Sequence, residues 1–168
     1  MLAECLTENL ICLDVEVNTP DEAIRAVGKL LLDGEKIYEG YIDSMVDTYH
    51  QLGPYMVIAP GIAIPHGKPG ELVKEDCIAF CRLNKPIAFG NKDNDPVKYL
   101  FAIGSNQPGG HLNMLKELSI FLMTEGNIDS LGKVTTKSEF TELLKKGGEA
   151  YWKNLRYFVF VEWDLALV

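Results

Sequence analysis

Two apolar runs in the middle of the chain, Cys77 to Leu83 and Val97 to Ile103, constrain the fold more than any other feature. Each is as long as a strand and apolar on nearly every residue rather than on alternate ones, which is the pattern of a strand covered on both faces. Central strands of that kind need layers above and below them, and helical patterns flank them in the sequence. The expected fold class is therefore α/β, a sandwich with helices covering a sheet.

The helical patterns carry their own start and stop signals. Thr19-Pro20-Asp21-Glu22 combines an N-cap threonine, proline at the first helical position and a glutamate placed to close a capping box. Ile24, Val27, Leu30 and Leu31 then recur on one face, and Gly34 supplies the stop. A second helix is expected from Ile37 to Leu52, with Tyr38, Tyr41, Ile42, Met45, Val46 and Tyr49 inward and Gly53-Pro54 ending it. His50 falls in its last turn, where a cation suits the helix dipole, and is assigned no chemistry. Thr136-Lys137-Ser138-Glu139 is another capping box and opens a last helix with Phe140, Leu143 and Leu144 inward, expected to end before Gly147-Gly148. Between these lie a first short strand at Leu10 to Leu13, a strand at Tyr55 to Ala59, a turn at Pro60-Gly61, and a short extended piece at Ile62 to Ile64. Lys68 to Glu75 reads as an exposed loop, Asn91 to Pro96 as a polar hairpin-like connection, and Asn127 to Leu131 as a short turn of helix.

A chain of 168 residues makes one ordinary domain. Its formal charge of −8 argues against nucleic acid or an anionic membrane surface as the main partner and favours a partner with a basic face. Glu4 and Glu8, with no basic region before an apolar core, do not resemble a secretory signal, and no stretch approaches the roughly 20 apolar residues of a membrane span. Cys77 and Cys81, on one strand, would stand about 13 Å apart, too far for a disulfide. Cysteine and histidine never come together at the close spacing of a structural zinc site. Cys5, Cys12, Cys77 and Cys81 are accordingly expected to be reduced core thiols of a cytoplasmic protein, with no metal and no cofactor.

The chemistry converges on two histidines. Gly61-Ile62-Ala63-Ile64-Pro65-His66-Gly67-Lys68 delivers His66 into a turn built by Pro65 and Gly67, the local arrangement of a presented side chain. The loop Ser105-Asn106-Gln107-Pro108-Gly109-Gly110 leads to His111, behind which Leu112, Leu115, Leu118 and Leu122 repeat at helical spacing until Gly126. His111 thus stands at the start of a helix, where unpaired N–H groups and the dipole favour an anion and Gly109-Gly110 lets it approach the backbone. The plainer alternatives are a hydrogen-bonded structural His66 and glycines that only make a turn before a half-exposed His111. Neutral imidazole is a competent nucleophile near physiological pH, and phosphoryl transfer asks mainly for positioning and for donors around the equatorial oxygens. On this reading His66 attacks, while His111 and the amides of Gly109 and Gly110 hold the charge. There is no Walker loop and no evident magnesium pair, so nucleotide hydrolysis fits poorly.

These segments, together with Pro86-Ile87-Ala88-Phe89, Asp93-Asn94-Asp95-Pro96-Val97, Leu100-Phe101-Ala102-Ile103 and His111-Leu112-Asn113-Met114-Leu115, resemble in order the EIIA domain of the bacterial phosphotransferase system, in its fructose and mannitol class. The resemblance covers nearly the whole of residues 1 to 147. Tyr41-Ile42-Asp43-Ser44-Met45 and Leu52-Gly53-Pro54-Tyr55 through Ala59-Pro60-Gly61 are most similar to ascorbate-type members. It implies a three-layer sandwich with a mixed β-sheet flanked by helices. It also implies a relay in which His66 takes a phosphoryl group from HPr and passes it to a cysteine of EIIB, indirectly serving a membrane EIIC, with His111 supporting the group. Mannitol-type members carry an arginine where this chain has Thr48, so Lys68, beside Gly67, the Gly109 and Gly110 amides or an arginine of the partner would have to contribute more.

The domain implied by the resemblance runs over residues 1–148, and residues 149–168 form an apolar extension. Tyr157 to Val161 is strongly β-prone, and the tail is expected to pack on the domain or on another subunit of a homo-oligomer. Two further functions compete with transport: a regulatory module whose contacts switch with phosphorylation of His66, as in the nitrogen-related branch, and a non-catalytic ligand or metal binder using His66 and His111.

Overall fold

A computed structural model describes residues 2–158. The chain opens with a short helix α1 (Leu2–Cys5) and a 3-10 turn (Glu8–Leu10) before strand β1 (Ile11–Val15). Helix α2 (Pro20–Asp33) starts as its sequence dictates: the Thr19 side chain accepts the Glu22 amide at 3.2 Å, while the Glu22 carboxylate accepts the Asn18 amide at 2.7 Å. Gly34 caps its far end, donating to the carbonyl of Leu30 at 2.9 Å. Ala23, Ile24, Val27, Gly28 and Leu31 are buried, and Leu30 packs at the edge of the core.

Helix α3 (Gly40–Leu52) begins later than its apolar pattern suggests. Ile37 is instead drawn into an antiparallel bridge with Val73, which holds it in the core and leaves Tyr38 53% exposed over the Lys74 ammonium. The segment expected as one strand from Tyr55 is also divided. Pro54, with its fixed φ, opens a 3-10 turn (Pro54–Met56), and only β2 (Val57–Ala59) pairs with β3 (Ile62–Ala63).

The two apolar runs are strands β4 (Cys77–Ile87) and β5 (Val97–Gly104), antiparallel neighbours inside a five-stranded mixed sheet of order β1-β4-β5-β3-β2. Strands β1 and β4 run parallel, as do β3 and β5. One face of β4 turns Phe80 onto Phe140, rings stacked 4.3 Å apart, and onto Phe101 of β5 at 4.8 Å. On that face the buried Arg82 guanidinium donates to Asp14 and to the carbonyls of Leu131 and Val134, tying the sheet to residues 131–134 of the helical layer. The opposite face, with Cys77 beside Tyr41, is covered by α2 and α3. This is the expected α/β sandwich.

Helices α4 (Pro108–Met123) and α5 (Asn127–Lys133) complete the second layer with α6 (Lys137–Phe158). Leu118 and Leu122 of α4 are buried as their spacing predicts, but Leu112 is 67% exposed at its first turn. Helix α6 has the expected cap, Thr136 accepting the Glu139 amide and Glu139 accepting that of Thr135. It does not stop before Gly147-Gly148. Gly147 lies buried where a Cβ would press on the Phe121 ring, so here glycine permits close helix packing and the helix runs on through Tyr157 and Phe158. The β-prone remainder of the tail and its expected association surface lie outside the described residues.

All four cysteines are free, Cys77 and Cys81 buried but Cys5 and Cys12 only half-buried at the edge of the core. Burial pushes the Cys77 thiol up to about 12 and the Cys81 thiol higher still. No described helix is long and apolar enough to cross a membrane.

Candidate active site

The site is built on the end of β5. The Ile103 amide donates to the carbonyl of Pro65 at 3.0 Å, and His66 pairs with Ile103 in a parallel bridge that continues the β3–β5 ladder past Ala63. His66 is therefore held in extended backbone, and the expected Pro-His-Gly turn is not formed. The reason is local. With the Pro65 carbonyl committed to the ladder, the backbone keeps the strand direction through His66. The buried Tyr41 hydroxyl fixes the next step, donating to the Ile103 carbonyl at 2.8 Å and accepting the Gly67 amide at 3.0 Å.

The imidazole of His66 is pinned by its own backbone. Nδ1 stands 2.8 Å from the carbonyl oxygen of Ile64, which only accepts, so Nδ1 carries the hydrogen and Nε2 of the neutral ring carries the lone pair. On the other side the Tyr55 hydroxyl lies 3.0 Å from Nε2, its ring edge-on to the imidazole at 5.5 Å. Burial pushes the Tyr55 phenol above its ordinary value, so it keeps its hydrogen near neutrality and is the donor of that bond.

His111, in the first turn of α4, brings its ring to 5.0 Å from that of His66, centroid to centroid. Burial first, and His66 second, hold its pKa below the ordinary value, against an opposite pull from Asp76. The ring is thus neutral near physiological pH, and its Nδ1 is buried without a hydrogen-bond partner. Around it the helix start is braced. The Ser105 hydroxyl donates to Asp76 at 2.6 Å and accepts the Gln107 amide at 3.2 Å. The Asp76 carboxylate lies against Gly110, where a negative charge suits the positive end of the helix.

The fold thus brings His66, His111, Gly67, Gly109 and Gly110 to one end of β5. The Gly67 amide hydrogen is already given to Tyr41, whereas Gly109 faces open space. Lys68 is exposed and makes no ion pair among the described residues. Thr48 turns its hydroxyl back onto the Ser44 carbonyl of its own helix at 2.7 Å. Sequence reasoning gave Tyr41, Tyr55 and Asp76 no role in the site: helical spacing turned Tyr41 inward without showing what it meets, and all three reach the site only through tertiary packing. His50, assigned no chemistry, pairs with Asp21 at 2.9 Å. Among the described residues no group of three or more His, Cys, Asp or Glu is placed to hold a metal ion.

An imidazole with a fixed tautomer, a neutral neighbouring imidazole and first-turn amides form an arrangement able to serve phosphoryl transfer. The family described as phosphoenolpyruvate-dependent sugar phosphotransferase system, EIIA 2, matches residues 4–147. The ascorbate-specific PTS system EIIA component of Salmonella choleraesuis is 34% identical over 152 residues, a match covering 89% of this chain and 98% of that protein. Among solved structures, enzyme IIA of the Escherichia coli mannitol system, determined in complex with phosphorylated enzyme IIB, superposes with a TM-score of 0.73 at 27% identity over 84% of this chain and 99% of its own. The nitrogen regulatory protein IIA-Ntr of Neisseria meningitidis superposes with a TM-score of 0.71 at 26% identity, covering 85% and 98%.

Proposed function

The chain belongs to the EIIA 2 family of the phosphoenolpyruvate-dependent sugar phosphotransferase system, and on that footing we propose that Nε2 of His66 is the atom that carries the phosphoryl group. The chain's role is that of an EIIA component in a phosphorelay between proteins. The observation that supports His66 is the bond from its Nδ1 to the Ile64 carbonyl, which leaves Nε2 with the lone pair.

In this account the Nε2 lone pair attacks the phosphorus of phospho-HPr as the bond from phosphorus to the donor breaks. Nδ1 keeps its hydrogen, so the phosphorylated ring is cationic, and the Ile64 carbonyl that accepts from it stabilises that charge. A cationic ring is a good leaving group. When a cysteine thiolate of EIIB attacks the phosphorus, the Nε2–P bond breaks and its electron pair returns to Nε2. His111 begins neutral and donates from its ring to a phosphoryl oxygen, and the Gly109 and Gly110 amides and the Lys68 ammonium supply further donors. Gly67 serves through the backbone that Tyr41 holds.

HPr as donor, EIIB as acceptor, an indirect link to a membrane EIIC and a cytoplasmic location complete the reading, with residues 1–148 as its domain. Relatedness to ascorbate-specific components supports ascorbate-type uptake. The likeness to a nitrogen regulatory IIA favours a second reading, in which the phosphorylation state of His66 selects protein partners. The test is to incubate the chain and its His66→Ala variant with phosphoenolpyruvate, enzyme I and HPr, follow the intact mass, and then offer EIIB of the ascorbate and mannitol classes. Label on the parent alone, discharged by ascorbate-class EIIB, supports transport. Label that no EIIB removes supports the regulatory reading, and no label on the folded parent rules out both.

A further inference from the structure

The atom that has to attack phosphorus is not free in the resting protein. The Tyr55 hydroxyl stands 3.0 Å from Nε2 of His66, and because Nδ1 is committed to the Ile64 carbonyl, that hydroxyl donates into the lone pair used for bond formation. Tyr55 belongs to the turn Pro54–Met56, which Gly53 precedes, and is 41% exposed, so its ring has solvent on one side and room to shift. An incoming phosphoryl group takes the place of the hydroxyl hydrogen on Nε2. The displaced O–H then lies beside three oxygens that are better acceptors than the nitrogen it left.

We propose that Tyr55 is a catalytic residue of this site, capping Nε2 of His66 through its hydroxyl in the resting protein and transferring that hydrogen bond to a phosphoryl oxygen once the Nε2–P bond has formed. No proton changes owner: the hydrogen stays on the phenol oxygen and only its acceptor changes. Thr48 of α3 spends its hydroxyl on the Ser44 carbonyl of its own helix, whereas the Tyr55 hydroxyl stands within hydrogen-bond distance of Nε2. The consequence is opposite on the two sides of the step. In the resting state the bond holds back the nucleophile. In the phosphorylated state it stabilises the charge on the equatorial oxygens, which falls as the loose transition state of hydrolysis is reached, so the bond slows loss of the group to water.

The inference rests on His66 being the phosphoryl acceptor, and the experiment separates the two. The parent chain and Tyr55→Phe, which keeps the ring and removes only the hydroxyl, are loaded with phosphoenolpyruvate, enzyme I and HPr. Donor proteins are then removed, and the half-life of the phosphohistidine and its phosphorus-31 chemical shift are measured. The expected result is loading of both chains on His66, a shifted phosphorus signal in the variant, and a phosphohistidine half-life about tenfold shorter, the loss of one hydrogen bond to a charged group. Equal half-lives and equal shifts with both chains loaded on His66 overturn the inference and leave the acceptor assignment standing. A parent that takes no phosphoryl group on His66 overturns both.

Discussion

The Tyr41 hydroxyl accepts the amide hydrogen of Gly67 at 3.0 Å while donating its own to the carbonyl of Ile103 at 2.8 Å, so one buried oxygen joins α3, β5 and the backbone that follows His66. Burial keeps that phenol protonated at any physiological pH. Tyr41→Phe leaves a buried amide and a carbonyl without their partner. It is expected to lower stability by about 1–3 kcal/mol in urea unfolding, and to slow phosphorylation by loosening the residue after His66. An unchanged urea midpoint would show that the hydroxyl is dispensable.

Gly110 has Asp76 where a Cβ would go. Gly110→Ala forces the carboxylate or the first turn of α4 aside, and His111 is the next residue. The expected effect is a fall of about tenfold or more in the rate of phosphoryl uptake, since displacement of a supporting group by about 1 Å is costly. If the cause is this contact, the double variant Gly110→Ala with Asp76→Ala recovers part of the rate, a coupling read from a double-mutant cycle.

His111 titrates below its ordinary value of 6.5 because it is buried and beside His66, with Asp76 pulling the other way. The unfolded chain therefore binds a proton here over a range in which the folded chain does not. The stability this supplies is present above the unfolded value and is lost as the pH falls through the folded one. Urea midpoints at about pH 7.5 and 5.5 are expected to differ less for His111→Gln than for the parent, because the variant has no proton to gain at this site. An identical difference in both would remove His111 from the acid-side loss.

Lys68 is exposed and makes no ion pair among the described residues, two positions from His66. As a donor to the phosphoryl group it matters to the loaded state and not to the fold. Lys68→Ala is expected to slow phosphorylation several-fold with stability unchanged within about 0.5 kcal/mol, as for other surface substitutions. An unchanged rate would return the burden to the Gly109 and Gly110 amides.

What could be read ahead of the structure was whatever a few neighbouring residues decide. The cap at Thr19, the stop at Gly34 and the doubly covered strands around Phe80 and Phe101 were legible because capping and apolar runs are local. The errors arose where a distant partner overrode a local preference. Ile37 follows Val73 into a bridge instead of starting α3, Pro54 bends Tyr55 out of a strand, and Gly147 sits inside α6 because the Phe121 ring needs its space. The same division holds in the site. His66 and His111 were marked by the glycines and prolines around them, whereas Tyr55, Tyr41 and Asp76 arrive from elsewhere in the fold.

The central claim is that phosphorus bonds to Nε2 of His66, because the Ile64 carbonyl holds the hydrogen on Nδ1. Long-range proton–nitrogen correlation spectra of the nitrogen-15-labelled chain, before and after loading by phospho-HPr, report the state of each ring nitrogen. The account predicts an Nδ1–H, Nε2-bare His66 at rest and phosphorus coupling to its Nε2 after loading. Phosphorus on Nδ1 of His66, or on His111, would contradict it.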